Sequence, residues 1–396
     1  MKIPLKRRPI APQVAVLVDT STSWGRGIIE GVHQYQSQNK EWRLFVEPRG
    51  MDQRRWLPAG WKGDGVIARV GFPELVGQLQ ELRIPVVNVS GIRLPGCDFP
   101  RIHSNLAEAA RMAAEHLFSS GFKNFAYFSL SGLDYVDEHK EAFRKVLEKT
   151  GHTCALYEAK PQLGGAEPEW TTDLDRLAAW LKALPKPVAI FTWNTSAARE
   201  VIFGCFRGGL KVPEEVSVMS GSDDDLFCKV APVPISAVKN AAEEIGFHAA
   251  GCLDQMMNRP QARKPKDMRF SPLGIVVRQS TETLAIDDPA LVRALRHIRE
   301  DPAREMSVGE VAKQSGLCRR TLEQRFAKTL GRSPAAEIRR VRIELAIHLL
   351  QSSRLSVSTI AEKSGFTTAE YMATIFRKHL GVAPLSLRRP AKSDEN

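Results

Sequence analysis

A short pattern occurs twice within the last quarter of the chain, and it leaves that part few ways to fold. Ser307, Val308, Val311, Ala312, Ser315 and Gly316 recur as Ser356, Val357, Ile360, Ala361, Ser364 and Gly365. Behind each glycine runs a second apolar ladder, Leu322, Phe326, Leu330, Gly331 and Pro334 in the first copy and Met372, Phe376, Leu380, Gly381 and Pro384 in the second. Apolar residues at i, i+4 and i+8 share one face of a helix. Each copy therefore predicts a short helix, a glycine-containing turn and a second helix with its apolar side inward. Two such units in one domain imply two helices offered to nucleic acid.

Charge agrees with that reading. The chain of 396 residues has a net charge of +11, and residues 285–396 hold 20 Lys/Arg against 13 Asp/Glu, so seven of the eleven excess positive charges lie there. Such a concentration is the electrostatic footprint expected where phosphates are to be neutralised. With 43% hydrophobic and 26% charged residues the composition is that of a soluble globular protein, long enough for two or three domains. No apolar run approaches the length that spans a bilayer, and the basic start MKIPLKRRPIAP has no apolar signal core behind it, so a cytoplasmic protein without a membrane partner is expected. The six cysteines (97, 154, 205, 228, 252 and 318) are scattered, with no C-x-x-C pair and no histidine at ligand spacing. Neither a disulfide framework nor a metal site is expected.

Beyond a basic tail (residues 1–12), apolar β-branched runs alternate with amphipathic stretches. Strands are predicted at 14–19, 42–48, 64–70, 84–91, 125–130, 188–194 and 216–221, with helices at 27–35, 73–83, 106–121 and 139–151 among others. Alternation of this kind argues for parallel sheets with helices on both faces. Ligands of such sheets bind at the carboxyl ends of the strands, which points to the loops after Val18, Ala68, Trp193 and Gly221. The alternation stops near Arg278. The polar stretch 279–289 reads as a linker, residues 290–389 read as wholly helical, and 390–396 form a C-terminal tail.

The helical segment 290–389 resembles the AraC/XylS family of transcription regulators. Its second copy, IAEKSGFTTAEYMATIFRKHLGVAPLSLR, carries Gly365-Phe366, Phe376-Arg377-Lys378, Gly381, Pro384 and Arg388 at that family's spacings. Leu387 departs from it, standing where an aromatic residue usually precedes the arginine. Residues 13–278, through GRGIIEGVHQY, WKGDGVIARV, IPVVNVSG, AAEHLFSSGFKNFAYF and LKVPEEVSVMSG, resemble the LacI/GalR effector domain, whose two α/β lobes enclose a cleft as in the periplasmic sugar-binding proteins. That domain ahead of an AraC-type one is the arrangement of the xylose-operon (XylR-type) regulators. The resemblance implies a two-lobed α/β ligand-binding and dimerisation domain followed by an all-α double helix-turn-helix domain. Its implied partners are double-stranded DNA carrying promoter repeats, a small sugar-like effector such as xylose, a second copy of the chain, and RNA polymerase. It implies activation of carbohydrate-utilisation genes, with no cofactor and no catalysis.

The candidate effector residues are Asp19, Trp24, Arg69, Ser104, Asn194, Ser222 and Asp223. Sugar-binding members of this fold usually place carboxylates at strand ends, because a charged acceptor takes hydrogen bonds from adjacent hydroxyls. Here His103-Ser104-Asn105, Asn194-Thr195 and Ser222-Asp223 stand where acids are expected, although Asp19, Asp223, Asp224 and Asp225 remain nearby. An alternative reading follows, in which the domain has lost sugar binding and serves dimerisation or partner contact, or the protein represses.

On the first recognition helix, with Leu322 and Phe326 inward, Arg320, Glu323, Gln324 and Ala327 point away, Arg319 and Thr321 lying beside them. Arginine can bond guanine O6 and N7, glutamine adenine, and glutamate cytosine N4. On the second, Met372, Ile375 and Phe376 are inward, turning Glu370, Ala373, Thr374 and Arg377 outward, with Thr368 as N-cap. Less base-reading capacity is expected there, and more reliance on phosphates, thymine methyls and DNA shape. Between them 333–353 reads as a helix packing against both units, with Arg339, Arg340 and Arg342 as phosphate candidates. The GRG at 25–27 lacks the rest of a dinucleotide fingerprint and reads as a helix-entry turn. No Walker, H-E-x-x-H or G-x-S-x-G motif occurs.

Overall fold

The computed structural model describes residues 11–39, 41–48, 57, 58, 60–130, 134–159, 173–258, 267–282, 286, 288–353, 355–380 and 382–388. Most of the predicted N-terminal tail, the C-terminal tail, Gly381 and residues 283–285 and 287 of the predicted linker lie outside the described residues. The chain divides into two compact units, Met1–Glu115 with Asn124–Thr283, and His116–Lys123 with Leu284–Asn396.

The first unit holds two six-stranded sheets. One has the order β11-β5-β4-β3-β1-β2, formed by β1 (Gln13–Leu17), β2 (Arg43–Phe45), β3 (Gly65–Ala68), β4 (Val86–Asn88), β5 (Arg101–Ser104) and β11 (Asp267–Phe270). All its pairings are parallel. The other has the order β12-β10-β9-β8-β6-β7, from β6 (Asn124–Leu130), β7 (Cys154–Ala159), β8 (Val188–Thr192), β9 (Val216–Ser220), β10 (Ser236–Lys239) and β12 (Gly274–Val276). The expectation of purely parallel sheets needs one correction: β12 runs antiparallel to β10, because the chain returns to the edge directly from β11 without a crossover helix.

Helices cover the faces: α1 (Ser23–Asn39), α2 (Pro73–Glu81), α3 (Leu106–Ser119), α4 (Asp134–Lys149), α5 (Leu174–Ala183), α6 (Thr195–Gly208), α7 (Asp225–Val230) and α8 (Ala242–Asn258). Strands covered on both sides read as continuous apolar runs, and Val14, Ala15, Val16 and Leu17 are all buried. Glycines let α1 and α8 approach to backbone contact. A Cβ on Gly31 would lie 1.9 Å from Glu243 O, and one on Gly246 2.1 Å from Ile28 O, so neither position admits a side chain. The helix-entry reading of Gly25 also agrees with its surroundings, since its amide donates to Thr22 Oγ1 at 3.0 Å. Gln279, Ser280 and Thr281, at the start of the predicted linker, form a 3-10 turn joined to the second sheet. Ser280 Oγ donates to Val218 O (2.6 Å) and Thr281 Oγ1 to Ser236 Oγ (2.7 Å).

The second unit is helical: α9 (Pro289–Glu300), α10 (Val308–Ser315), α11 (Arg319–Leu330), α12 (Pro334–Ser352), α13 (Val357–Lys363), α14 (Ala369–Leu380) and a 3-10 turn Pro384–Leu387. Two cores share α12. Ile338 and Val341 join Val311, Leu322 and Phe326 in one, while Ile343, Ala346 and Leu350 join Ile360, Met372 and Phe376 in the other. Leu387, the departure from the family pattern, packs against the second core.

Candidate nucleic-acid interface and effector site

The sequence repeat has a physical meaning in the second unit. Ser307 Oγ accepts from Glu310 N (3.1 Å) and Ser356 Oγ from Thr359 N (3.0 Å), so both copies start on an N-cap that satisfies an otherwise orphaned donor. Ser315 and Ser364 are fully buried, and Gly316 (φ 75°) and Gly365 (φ 77°) adopt the left-handed conformation that turns the chain into the next helix. Gly331 (φ 65°) ends α11 in the same way.

Leu322, Phe326, Met372 and Phe376 are fully buried and Ile375 nearly so, which fixes the outward face of each recognition helix. On α11, Arg319, Arg320, Gln324 and Ala327 are exposed, and Thr321 and Glu323 half-buried. Arg319 Nε donates to Glu323 Oε1 at 2.9 Å. On α14, Glu370, Thr374 and Arg377 are exposed and Ala373 half-buried. Thr368 Oγ1 accepts from Tyr371 N at 3.1 Å, as an N-cap does, and Thr374 Oγ1 is turned back onto Glu370 O at 3.0 Å. The Glu370 carboxyl is held below its usual range by its own backbone amide and by Thr368. Each recognition helix thus spends some polar capacity internally, α11 at Arg319 and Glu323 and α14 at Glu370 and Thr374.

Two of the three phosphate candidates of α12 are held within the helical unit. Arg340 is drawn to Glu337 (2.8 and 2.9 Å) and to Glu344. Arg342 donates to the carbonyls of Pro302 (3.1 Å) and Arg304 (2.9 Å). Both are internal ties, because carbonyls and a buried carboxylate compete for donors that the sequence alone leaves free.

In the first unit the candidate effector residues gather at strand ends of both sheets. Asp19, after β1, is 2% exposed. Its Oδ1 accepts from Ser21 N (3.0 Å) and Ser21 Oγ (2.6 Å), while its Oδ2 is buried without a hydrogen-bond partner. Trp24 packs on the core of its lobe. Arg69, after β3, hydrogen-bonds the Tyr135 hydroxyl of α4; burial raises that phenol's pKa against the opposing influence of the arginine. Tyr135 in turn meets Trp193 edge-on, ring centroids 5.8 Å apart. Asp223, after β9, pairs with Arg278, 2.9 Å away and 10% exposed. Asn240, after β10, has its Oδ1 buried without a partner.

Three candidates are engaged through local bonds, Asn194 by its side chain and Ser222 and Ser104 by their carbonyls. Asn194 Oδ1 caps α6 through Ala197 N (2.8 Å). The Ser222 carbonyl receives Ser220 Oγ (2.7 Å) and Thr195 Oγ1 (2.8 Å), and the Ser104 carbonyl lies 3.0 Å from His103 Nδ1. His103 is tied at 2.6 Å to Asp267. Burial and the Arg101 charge hold its pKa down against the Asp267 hydrogen bond. Tyr135, Asn240 and Arg278 were missed from sequence. Asn240 ends a short strand whose pattern is weak, and Arg278 sits where the strand–helix alternation fades.

Polar contacts also join the two lobes. Asp224, preceding α7, accepts from Ser23 N (3.1 Å) and Ser23 Oγ (2.9 Å) at the start of α1, and Arg269 Nη1 lies 3.6 Å from Glu138 of α4. Among the described residues no group of acidic, histidine or cysteine side chains is arranged to hold a metal, and no helix is long and apolar enough to cross a membrane.

Comparison with known proteins gives this architecture its context. Residues 13–108 match the XylR N-terminal domain, 114–281 a periplasmic binding protein-like domain and 294–390 a helix-turn-helix domain. The xylose operon regulatory protein of Escherichia coli K12 is 27% identical over 386 residues, covering 95% of this chain and 96% of its own. That of Haemophilus influenzae is 27% identical, over 95% and 98%. A solved structure described as the xylose-binding transcription activator xylR matches with TM-score 0.60 and 26% identity over 96% of this chain and 98% of that one. Fold and paired helices thus define a DNA-binding transcription regulator with a periplasmic-binding-protein-like domain, and its relatives are regulators rather than enzymes. Along nearly its whole length the chain is similar to the xylose operon regulatory proteins, with a match to the XylR N-terminal domain ahead of the helix-turn-helix domain.

Proposed function

We propose that the protein activates carbohydrate-utilisation genes in the cytoplasm when a small sugar, D-xylose or a close relative, occupies the cleft of its first unit. The observation that carries the reading is the pair of buried, unpartnered acceptors, Asp19 Oδ2 and Asn240 Oδ1, one at a strand end of each sheet. Burying such atoms unpaired costs about 1–3 kcal/mol each, a cost that the hydroxyl donors of a sugar would remove. The acids absent from the family positions are therefore offset by other acceptors, one carboxylate and one amide, which favours a working pocket over a domain kept only for dimerisation. Arg319, Arg320, Thr321, Glu323 and Gln324 of the first unit of the repeat would carry most base contacts, and Thr368, Glu370, Ala373, Thr374 and Arg377 would set the second helix on the duplex.

A second copy of the chain is the proposed partner for the outer face of α6 and α7. Phe203, Phe206, Leu226, Phe227 and Val230 are exposed there, with the Arg199 guanidinium 5.5 Å from the Phe227 ring centre. The rim is charge-balanced, Asp175 pairing Arg207 and Asp225 pairing Lys229, as a self-complementary surface requires. RNA polymerase would meet the DNA-bound dimer.

Calorimetric titration of the whole protein with D-xylose, L-arabinose, D-glucose and D-glucuronate, followed by binding to its own promoter with and without the best ligand, tests the reading. Saturable binding of one sugar together with a change in promoter affinity is expected. No binding by any sugar would return the first unit to the dimerisation-only role.

A further inference from the structure

The repeat in the second unit reaches one helix further back than the helix-turn-helix itself. Arg293 of α9 and Arg342 of α12 stand as far apart in the chain as Gly316 and Gly365 do, and each lies against the turn glycine of its own copy. A Cβ on Gly316 would be 3.7 Å from Arg293 Nη2, and one on Gly365 would be 2.7 Å from Arg342 Nε. The two copies are thus three-helix assemblies, α9–α10–α11 and α12–α13–α14, each with an arginine behind its turn.

The two arginines differ in what they bind. Arg293 Nη2 donates to Ser315 O at 2.9 Å, inside its own copy. Arg342 reaches across instead. Its Nε donates to Pro302 O at 3.1 Å and its Nη2 to Arg304 O at 2.9 Å, both in the connection between α9 and α10 of the first copy. The backbones meet at the same place, since a Cβ on Gly365 would lie 2.4 Å from Pro302 O. Glycine at φ 77° both makes the second turn and leaves room for that carbonyl.

Position gives this bridge its consequence. Arg342 lies between Val341, which packs in the first core, and Ile343, which packs in the second. A helix shared by two cores fixes how far apart they are, but helices curve when the hydrogen bonding along one side changes, so a second attachment off the helix axis is needed to fix the angle. Arg342 supplies it. Two donors of one planar guanidinium meeting two carbonyls set direction as well as distance, which the single ammonium of a lysine does not. One base pair moves a site about 3.4 Å along the duplex and about a tenth of a turn around it, so the angle between α11 and α14 decides which separation of sites fits.

We propose that Arg342 is the spacing lock of the helical unit: by bonding Pro302 and Arg304 beside Gly365 it fixes the first recognition helix relative to the second, and with it the separation of the two DNA segments that one chain reads. This rests on the reading that both recognition helices meet one duplex, and the tie itself can be tested without DNA.

The test uses the full chain and its own promoter, with one base pair inserted between the two major-groove segments that footprinting assigns to one chain. The insertion should cost wild-type protein about tenfold or more in affinity. That cost should shrink to about threefold or less in Arg342→Ala, be intermediate in Arg342→Lys, and keep its wild-type value in Arg293→Ala, which loses a comparable bond to a carbonyl within one copy. An undiminished cost in Arg342→Ala, or an equal reduction in Arg293→Ala, would overturn the proposal. Hydrogen–deuterium exchange reads the tie in the free protein: Arg342→Ala should speed exchange about threefold or more in both 303–306 and 364–368, and Arg293→Ala only around 315–317. Acceleration of one stretch alone in Arg342→Ala would also sink the idea, with circular dichroism checking that each variant is folded. Wild-type protein indifferent to the insertion would count against the reading that α14 meets the duplex, and the exchange would still decide the tie.

Discussion

The Ser23 hydroxyl donates to Asp224 Oδ1 at 2.9 Å and its amide to Asp224 Oδ2 at 3.1 Å, joining the first turn of α1 in one lobe to the residue preceding α7 in the other. A carboxylate accepting two hydrogen bonds across a cleft favours the arrangement in which the lobes are together. Asp224→Ala removes both bonds and should weaken sugar binding about tenfold, since each hydrogen bond to a charged group contributes about 1.5–3 kcal/mol and part of that is recovered by water. Calorimetry on the variant checks it; unchanged affinity would mean that closure does not depend on this contact.

Asp19 makes a sharper prediction. Its Oδ1 is committed to Ser21, whereas Oδ2 is buried and unpartnered. Asp19→Asn keeps the size and replaces one acceptor by a donor facing ligand hydroxyls. Sugar affinity should fall by roughly 10- to 100-fold, about 1.5–3 kcal/mol, while promoter affinity without sugar stays at the wild-type value. A variant that binds sugar normally would remove Asp19 from the site.

The repeat was the most legible part of the chain, because spacing alone distinguishes a helix that packs from one that presents a face. Leu322, Phe326, Met372 and Phe376 are buried as expected, and the caps at Ser307 and Ser356 explain why serine recurs. Arg340 and Arg342 were not legible. An arginine on a helix looks the same in sequence whether it meets phosphate, a buried Glu337 or the carbonyl of Pro302, and that choice is made by residues far along the chain. The pocket was legible to the level of loops. Asn194 stood at the right strand end, yet its side-chain oxygen caps α6, whereas Asn240 was missed at a four-residue strand.

The two kinds of arginine should behave differently when removed. Arg320→Ala and Gln324→Ala, on the exposed face of α11, should each cost about 1–3 kcal/mol in promoter binding and relax base preference at neighbouring positions, leaving stability unchanged. Arg342→Ala should instead destabilise the fold by about 1–2 kcal/mol, through loss of its bonds to Pro302 and Arg304, without altering base preference. Promoter titrations on randomised sites, paired with chemical denaturation, separate the outcomes. An Arg342 variant of normal stability and altered preference would reverse the assignment.

Acid should unfold the first unit earlier than its carboxylates alone would require. His139 of α4 is 3% exposed, its Nδ1 lies 2.8 Å from the Tyr127 hydroxyl, and burial pushes its pKa down to about 3. A pKa depressed in the folded state means that the unfolded chain binds the proton first. Stability is then undiminished above the ordinary histidine range near 6.5 and falls as pH drops from there toward about 3, by about 1.4 kcal/mol per pH unit for one such group. Denaturation of the full chain between pH 7 and pH 4, followed through fluorescence of its tryptophans, should show that slope. His139→Leu, which cannot take up a proton, should reduce the slope by about 1.4 kcal/mol per pH unit while losing the bond to Tyr127, leaving the share of His116, whose pKa burial likewise holds at about 3. A slope that persists undiminished in the variant would place the proton uptake on another group.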